Sequence, residues 1–427
     1  MKIKKRINYL KQIINVAFFI ATKSIKRGSI AAKSTMIFIL MLTFLNLTVV
    51  GGLLNGIIDD IGNNVRENFV GDVFIEPAPE YDYLQNISEL HPHLQSDKIE
   101  GYSKRLLASS TLQYEYQKMS ANNNKKPPRA KATLAGIFPE EEKRTTEIIN
   151  NIVAGDFLND KNWNGIILGA NLVENYGGGT TSSANNLGMV NIGDKVRARL
   201  QNGNTFEFVV AGIFHTKETS IDQRAFVNYE TLQSLLGLPT NKYSEIAIKV
   251  NNREDAPLLL KRLKNVNGET GYESDIKDAE QAAPGAVTDL KVAFGLIANI
   301  VGLTAILVGL VIVFVIIFIN ASNRRSELGI LKAQGIEPSA LILSYVFQAL
   351  FYTVAGVIIA LGILFFFLQG YFQNNPISLP MADGRLLLGF DYLTLRVIVL
   401  IVSAIISGLI PAWLIIKQNT LDSILGR

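Results

Sequence analysis

Hydrophobic positions along this 427-residue chain fall into two regimes. Four long stretches are almost continuously apolar. Between the first and second lie about 230 polar, turn-rich residues in which short apolar segments alternate in period. The uncharged run Met36–Ile58 is long enough to cross a bilayer once and sets a first transmembrane helix at 34–58, leaving it at Asp59 and Asp60. Residues 292–323 carry no charge over 32 positions, against the roughly 20 that a crossing needs. As one helix they would reach about 48 Å. The second transmembrane helix, 289–320, is therefore expected to project outward as a stalk. Asp275–Ala283 would extend that stalk, with Pro284 as a break or kink. A third span covers 339–370 and a fourth 396–417, the latter bracketed by Arg396 and Lys417 and interrupted at Pro411. Residues 371–395, with Pro376 and Pro380, form a loop between them, and 418–427 a tail.

Within 59–288 the periodicity predicts strands at Val73–Glu76, Ala132–Ile137, Lys195–Leu200, Phe206–Ile213, Ala225–Val227 and Ser244–Val250. It predicts helices at Asp82–Leu90, Glu140–Asn150, Tyr229–Leu236 and Ala256–Leu263, and loops at Asn122–Pro128 and Gly177–Asn186. This is one α+β domain, of one or two lobes, large enough to bury a core without disulfides.

Charge orients these pieces. No Asp or Glu precedes Asp59, while that segment holds nine Lys or Arg. The loop Asn320–Gly335 carries Arg324, Arg325 and Lys332 against the single carboxylate Glu327. By the Lys/Arg bias both are cytoplasmic, so both termini lie inside and the large domain outside. The expected fold is membrane α-helical, with four transmembrane helices and a large extracytoplasmic α+β domain between the first and second. The basic segment 1–33 has Ile7, Leu10, Ile14, Ala17 and Phe18 at helical spacing. It fits a helix on the inner membrane face, or equally one packed on the chain's own membrane helices. It lacks the short basic region and small-residue cleavage site of a signal peptide.

The segment 321–338 is more than a polar turn. Leu328 and Leu331 share a helical face and Gly335 is a plausible stop, which suggests a cytoplasmic helix that another protein grips. The alternative is a solvated basic loop.

Little enzymatic chemistry is visible. With no cysteine, disulfides, thiolate metal sites and Cys nucleophiles are excluded. The spans hold no acid, base or histidine, which argues against proton- or sodium-coupled transport. Gly177–Ser183 lacks the lysine of a phosphate loop, so any ATP must be bound by another chain. His91-Pro92-His93 reads as a surface loop, His215 has no nominated acid or serine partner, and the Asn86 sequon is a chance match. No catalytic constellation, cofactor site or metal site is expected, and nothing points to nucleic acid. Small-residue pairs Ala305/Gly309, Gly356/Ala360 and Ala404/Gly408 permit close helix contact, within the chain or across a dimer.

The run Arg325-Ser326-Glu327-Leu328-Gly329-Ile330-Leu331-Lys332-Ala333-Gln334-Gly335 resembles the R-x-E-(I/L)-G-(I/L)-L-(R/K)-A-x-G signature of the FtsX-like permeases, of macrolide-exporter and lipoprotein-releasing type. The layout of one span, a large outer domain and three spans agrees, as do Gly356 and Gly362 in the third span and the segment from Pro411. Stretches 166–169, 190–196 and 209–213 are similar to that family's periplasmic core domain. Gln348, Thr420 and Leu425 depart from it, standing where Glu, Pro and Arg are usual.

The resemblance implies a permease subunit without its own ATPase domain. It would form a dimer, homo- or heteromeric, on two separate ABC ATPase subunits that hold ATP and Mg, in a bacterial or archaeal cytoplasmic membrane. A periplasmic or extracellular adaptor is a further implied partner. The coupling helix, with Arg324, Arg325, Glu327, Leu328, Gly329, Leu331, Lys332 and Gly335, would take the ATPase stroke. The second span would relay it outward, to export or extract a hydrophobic, lipidated, drug or peptide substrate. The alternatives are a mechanotransducer that activates an outer partner such as a cell-wall hydrolase, and an anchored binding domain with no ATPase.

Overall fold

The computed structural model describes residues 2–84, 87–116, 127–176, 185–270, 274–379 and 382–416. The Asn86 sequon, Gly177–Ser183, most of the expected loop at 122–128, Pro380 and the tail from Lys417 lie outside the described residues. Two compact units emerge. One is helical (Met1–Ile57, Ala293–Ile377, Gly384–Arg427), and the other is an α/β domain (Ile58–Val292 with Ser378–Asp383).

In chain order, α1 (Lys2–Arg27) breaks at Gly28 and is followed by α2 (Ile30–Val65), which widens into a π-helical turn at Arg66–Val70. The α/β domain then runs through β1 (Val73–Pro77), α3 (Ile87–Leu94), β2 (Ile99–Gln113), β3 (Arg129–Ile137), α4 (Pro139–Thr145), β4 (Ile152–Gly155) and β5 (Gly165–Gly169). It continues with β6 (Lys195–Leu200), β7 (Thr205–Phe214), β8 (Arg224–Asn228), α5 (Tyr229–Leu236), β9 (Glu245–Val250), α6 (Ala256–Thr270) and β10 (Ser274–Asp278). Helices then dominate: α7 (Gly285–Asn323), α8 (Arg325–Ala333), α9 (Pro338–Ile363), α10 (Gln369–Asn374), a hairpin of β11 (Ile377–Ser378) and β12 (Asp383–Gly384), and α11 (Phe390–Ile416). Among the described residues four helices are long and apolar enough to cross a membrane: Ile30–Val70, Val287–Asn323, Pro338–Asn374 and Phe390–Leu414.

The α/β domain has two sheet regions that share β2. Its first half pairs with β9 in the sheet β10-β1-β9-β2, and its second half pairs with both β3 and β6. Through β3-β8-β5-β7-β6 and back to β2, six strands close into a barrel. Closure removes free edges, and the core it encloses includes Leu112, Leu134, Ile166, Val196, Phe208 and Val227. The strands that join the domain to α2 and α7 are β1 and β10, which pair antiparallel from Val73↔Asp278 to Pro77↔Ser274.

The domain also holds a buried ion network. Arg105, fully buried, donates to Glu142 at 2.6 and 2.9 Å and to Glu245 at 3.1 Å. Ser103 and Thr146 hydroxyls complete the Glu142 carboxylate, and Arg224 reaches Glu245 at 3.4 Å. Burial alone would lower the Arg105 guanidinium, but Glu142 and Glu245 together hold it above its usual value. Burial pushes Glu142 up, and Arg105 with the two hydroxyls outweighs it, holding the carboxyl low. Phe69, from the π-helical turn, stacks on Arg224 at 3.9 Å and on Arg105 at 5.1 Å. Arg66 pairs with Asp72 at 2.9 Å, and Asn151 donates to Asn68 at 2.6 Å. The π-helical turn at Arg66–Val70 is thus fastened into the domain's charged core.

The structure corrects several expectations. The first long helix does not end at Asp59; Asn63 donates to Asp59 and Asn64 to Asp60, one turn back, so both acids serve inside a helix that runs to Val65. At about 1.5 Å per residue, α2 is about 54 Å long and nearly matches α7. Asp275–Ala283 is no stalk: Ser274 and Ile276 are buried in alternation and pair with β1, and α7 starts only after Pro284. The expected helix at Asp82–Leu90 appears instead at Ile87–Leu94 and takes in His91-Pro92-His93, which is helical rather than a loop. Glu140–Asn150 splits, because Thr146 is extended; α4 ends at Thr145 and a 3-10 turn follows. Strands β2, β4 and β5 are additions that the local pattern does not announce. The fourth long helix starts at Phe390, so Arg396 lies inside it, over the Tyr392 ring at 4.9 Å and beside Gly51 and Gly302.

In the helical unit the small residues serve packing within the chain. A Cβ at Gly309 would stand 2.6 Å from Thr43, one at Gly356 would stand 3.1 Å from Ile37 and Met41 backbone, and one at Gly408 3.1 Å from Ala349. Ala360 and Ala404 are buried and Ala305 half-buried. Gly52 and Gly56 on α2 have the same small-residue spacing and join this set. The backbone before α11 lies directly on them, with Leu387 N–H donating to Gly52 O at 3.3 Å.

Candidate functional site

Helix α8 is short, and its ends explain why it holds. Glu327 sits in its first turn, favourable to the helix dipole, and Lys332 in its last. Beyond the C-terminus Gly335 is left-handed, with φ +88°. The Gly335 N–H reaches Lys332 O at 3.1 Å and the Ile336 N–H reaches Leu331 O at 3.2 Å. These two bonds are the glycine stop expected at this position.

The predicted coupling residues divide by direction. Leu328 and Gly329 are buried, and Leu331 packs with Leu328 on a cluster of Met36, Val313, Ile317, Tyr345 and Ala412. Lys332 donates to Ile416 O at 3.3 Å and Arg324 to Ser24 Oγ at 2.7 Å, so both turn back into the unit. The Arg325 Nε is buried without a hydrogen-bond partner among the described residues. Ser326, Glu327, Ile330, Ala333 and Gln334 form the exposed face. Ile330, 47% exposed, joins the site only in the structure, although it lies three residues after Glu327 and helical spacing alone would place it on the same face.

Helix α1 packs on α9, with Phe18 edge-on to Phe347 at 6.0 Å, Ser24 donating to Gln348 at 3.2 Å, and the Tyr9 hydroxyl donating to Glu337 at 2.7 Å. It still leaves Leu10, Ile14, Phe18 and Phe19 exposed. One face of this segment therefore meets the chain's own helices, and the other is apolar and open.

In the α/β domain His215 does have an acid partner. Its Nδ1 lies 2.7 Å from Asp222 Oδ2, while Asp222 Oδ1 accepts from the Thr216 N–H and hydroxyl, both at 2.8 Å. The pair closes a loop that presents Lys217 to Asp383 at 2.8 Å, whose own N–H donates to Asp60. The Asp222 hydrogen bond raises the His215 pKa above 6.5, burial opposing it. A raised histidine stabilises fully below its unfolded value and loses that contribution as pH rises through its folded value. The melting-temperature difference between the parent protein and His215→Asn should accordingly shrink from pH 6 to pH 8; a constant difference would refute the assignment.

Residues 299–420 match the model of the FtsX-like permease C-terminal family. No curated protein matches the chain. Among solved structures it is similar to the periplasmic region of MacB from Actinobacillus actinomycetemcomitans, at 15% identity, TM-score 0.33, over 52% of this chain and 94% of that one. It is also similar to the extracellular domain of the noncanonic ABC-type transporter YknZ from Gram-positive bacteria, at 13% identity, TM-score 0.33, over 48% and 98%. The matched region spans most of α7, the whole of α8 and α9, and α11, so it is this C-terminal part of the chain that is similar to the FtsX-like permeases.

Proposed function

We propose that this chain is the transmembrane subunit of an ABC-type transporter, working as one of two permease chains in a bacterial or archaeal cytoplasmic membrane. A separate ATPase, holding ATP and Mg, contacts the exposed face of α8. Because Leu328 and Leu331 seal the other face onto the bundle, a push on α8 moves the helices behind it as a body. The stroke passes along α7, and the paired strands β1 and β10 receive it in the α/β domain, which lies outside the cytoplasm. There it drives export or extraction of a hydrophobic, lipidated, drug or peptide substrate.

The observation that carries this reading is the construction of α8: a rigidly terminated helix, closed on one side and presenting Glu327 and Ile330 on the other. The test is co-purification with the cognate ATPase, together with substrate- or partner-stimulated hydrolysis. Losing one partner of an interfacial charged hydrogen bond costs about 2–5 kcal/mol, so Glu327→Lys should weaken assembly well beyond tenfold. Nothing lies within 4 Å of the position a Cβ would take at Gly335, so Gly335→Val acts only by forbidding the left-handed turn. It should uncouple hydrolysis from release while leaving membrane insertion intact. Unchanged assembly and stimulated hydrolysis in both variants would reduce α8 to a loop. Stimulation by an outer protein, with no substrate released, would make the chain a mechanotransducer.

A further inference from the structure

Where α1 gives way to α2 the helical unit encloses a cavity of about 250 Å³. It has room for on the order of eight waters. Lys33 and Arg324 line it from two helix ends and converge on the helix break: from the position a Cβ would take at Gly28, Lys33 Cε is 3.2 Å away and Arg324 Nη2 3.9 Å. No carboxylate lines the cavity, and Arg324 has no ion pair among the described residues. Among the described residues Lys33 Nζ reaches only the Lys26 carbonyl, at 3.4 Å.

Two tyrosines sharpen the demand. Tyr345 and Tyr352 are 4% and 5% exposed and line the same space, and neither hydroxyl has a hydrogen-bond partner among the described residues. Each hydroxyl is open to the cavity and free to donate into it, and a confined cation without a counter-charge is costly. Gln348, a neutral amide, forms another wall and brings no counter-charge to either cation. The first turn of α2 opens here too, adding the positive end of a long helix dipole.

We infer that this cavity holds the phosphate of an anionic lipid headgroup. Lys33 and Arg324 pair with the phosphate, and Tyr345 and Tyr352 donate to it. Exposed apolar side chains on α1 (Leu10, Ile14, Phe18) and α2 (Phe38, Leu42) offer acyl chains a surface, which free phosphate could not use.

The test is native mass spectrometry of the full-length protein in detergent, titrated with phosphatidylglycerol or phosphatidylcholine. One tightly held phosphatidylglycerol and no comparable phosphatidylcholine is the expected result. Lys33→Gln should lower that affinity about fivefold, as one cation near a membrane surface does. Tyr345→Phe should lower it roughly threefold. Lys11→Gln, on the exposed side of α1, should leave it unchanged. Equal binding of both lipids, or an equal loss in Lys11→Gln, would mean a diffuse basic surface and overturn the site. Displacement of the lipid by excess inorganic phosphate would overturn its assignment to lipid.

Discussion

Arg105→Met should lower the melting transition of the α/β domain in the purified protein by roughly 6–20 °C. Removing one member of a buried ion network strands the others, at about 3–5 kcal/mol, and a domain of 150–250 residues shifts about 2–4 °C per kcal/mol. Glu142 would lose its two guanidinium bonds and Glu245 its closer cation, both inside the core. The pH dependence identifies the cause. In the parent protein Glu142 is held below its ordinary 4.5, so its contribution is full above 4.5 and fades as pH falls through its folded value. In the variant burial is opposed only by the Ser103 and Thr146 hydroxyls, so the ionised carboxylate is a penalty that is largest near neutral pH. The deficit should therefore narrow as pH approaches 4.5. Adding Glu142→Leu should recover part of the loss, since apolar replacement of a whole pair is far milder than breaking it. A deficit independent of pH would mean that lost packing, and not stranded charge, explains the variant.

Gly56→Val should destabilise the helical unit by about 3 kcal/mol or more, because the clash is with backbone and no side chain can yield. A Cβ at Gly56 would stand 1.8 Å from Arg385 O and 2.8 Å from Arg385 C. Helix α2 would have to leave the segment that leads into α11, and Leu387 would lose its bond to Gly52. Gly295→Val in α7 is the matched control, since nothing lies within 4 Å of its Cβ position. Denaturant unfolding of both variants in detergent is the measurement. Equal stability of the two would show that α2 and this segment are not held in contact.

Where sequence reading fails, it fails at residues whose partners are remote. Strand β2 is the clearest case. Ser103, Arg105 and Ser110 look like surface residues, and all three are buried. Arg105 can be buried only because carboxylates 37 and 140 residues away come to meet it. No local period reveals that. The histidine–aspartate pair is a milder case: Asp222 is only seven residues from His215, but the turn that joins them is set by the loop's other bonds. In α8, by contrast, the residues that shape the element lie inside it. The Glu327 position, the Leu328/Leu331 face and the Gly335 stop were all legible. What the face packs against, and that Arg324 and Lys332 turn inward, were not.

The same division runs through the whole chain. Apolar length is a property of a stretch by itself, so the sequence determined four membrane-length helices and a polar domain between the first two. Strand β6 and helix α5 likewise coincide with their predicted bounds, because their alternation and their glycine stop are local. The tertiary structure alone decided that β2 serves two sheets, that 274–278 pairs with β1 as a strand, and that six strands close into a barrel. It also decided which glycines are indispensable, since that depends on whose backbone arrives beside them. Each of these outcomes is fixed by hydrogen bonds, ion pairs or contacts between segments far apart in the chain, whose energies appear only once the fold has brought the partners together.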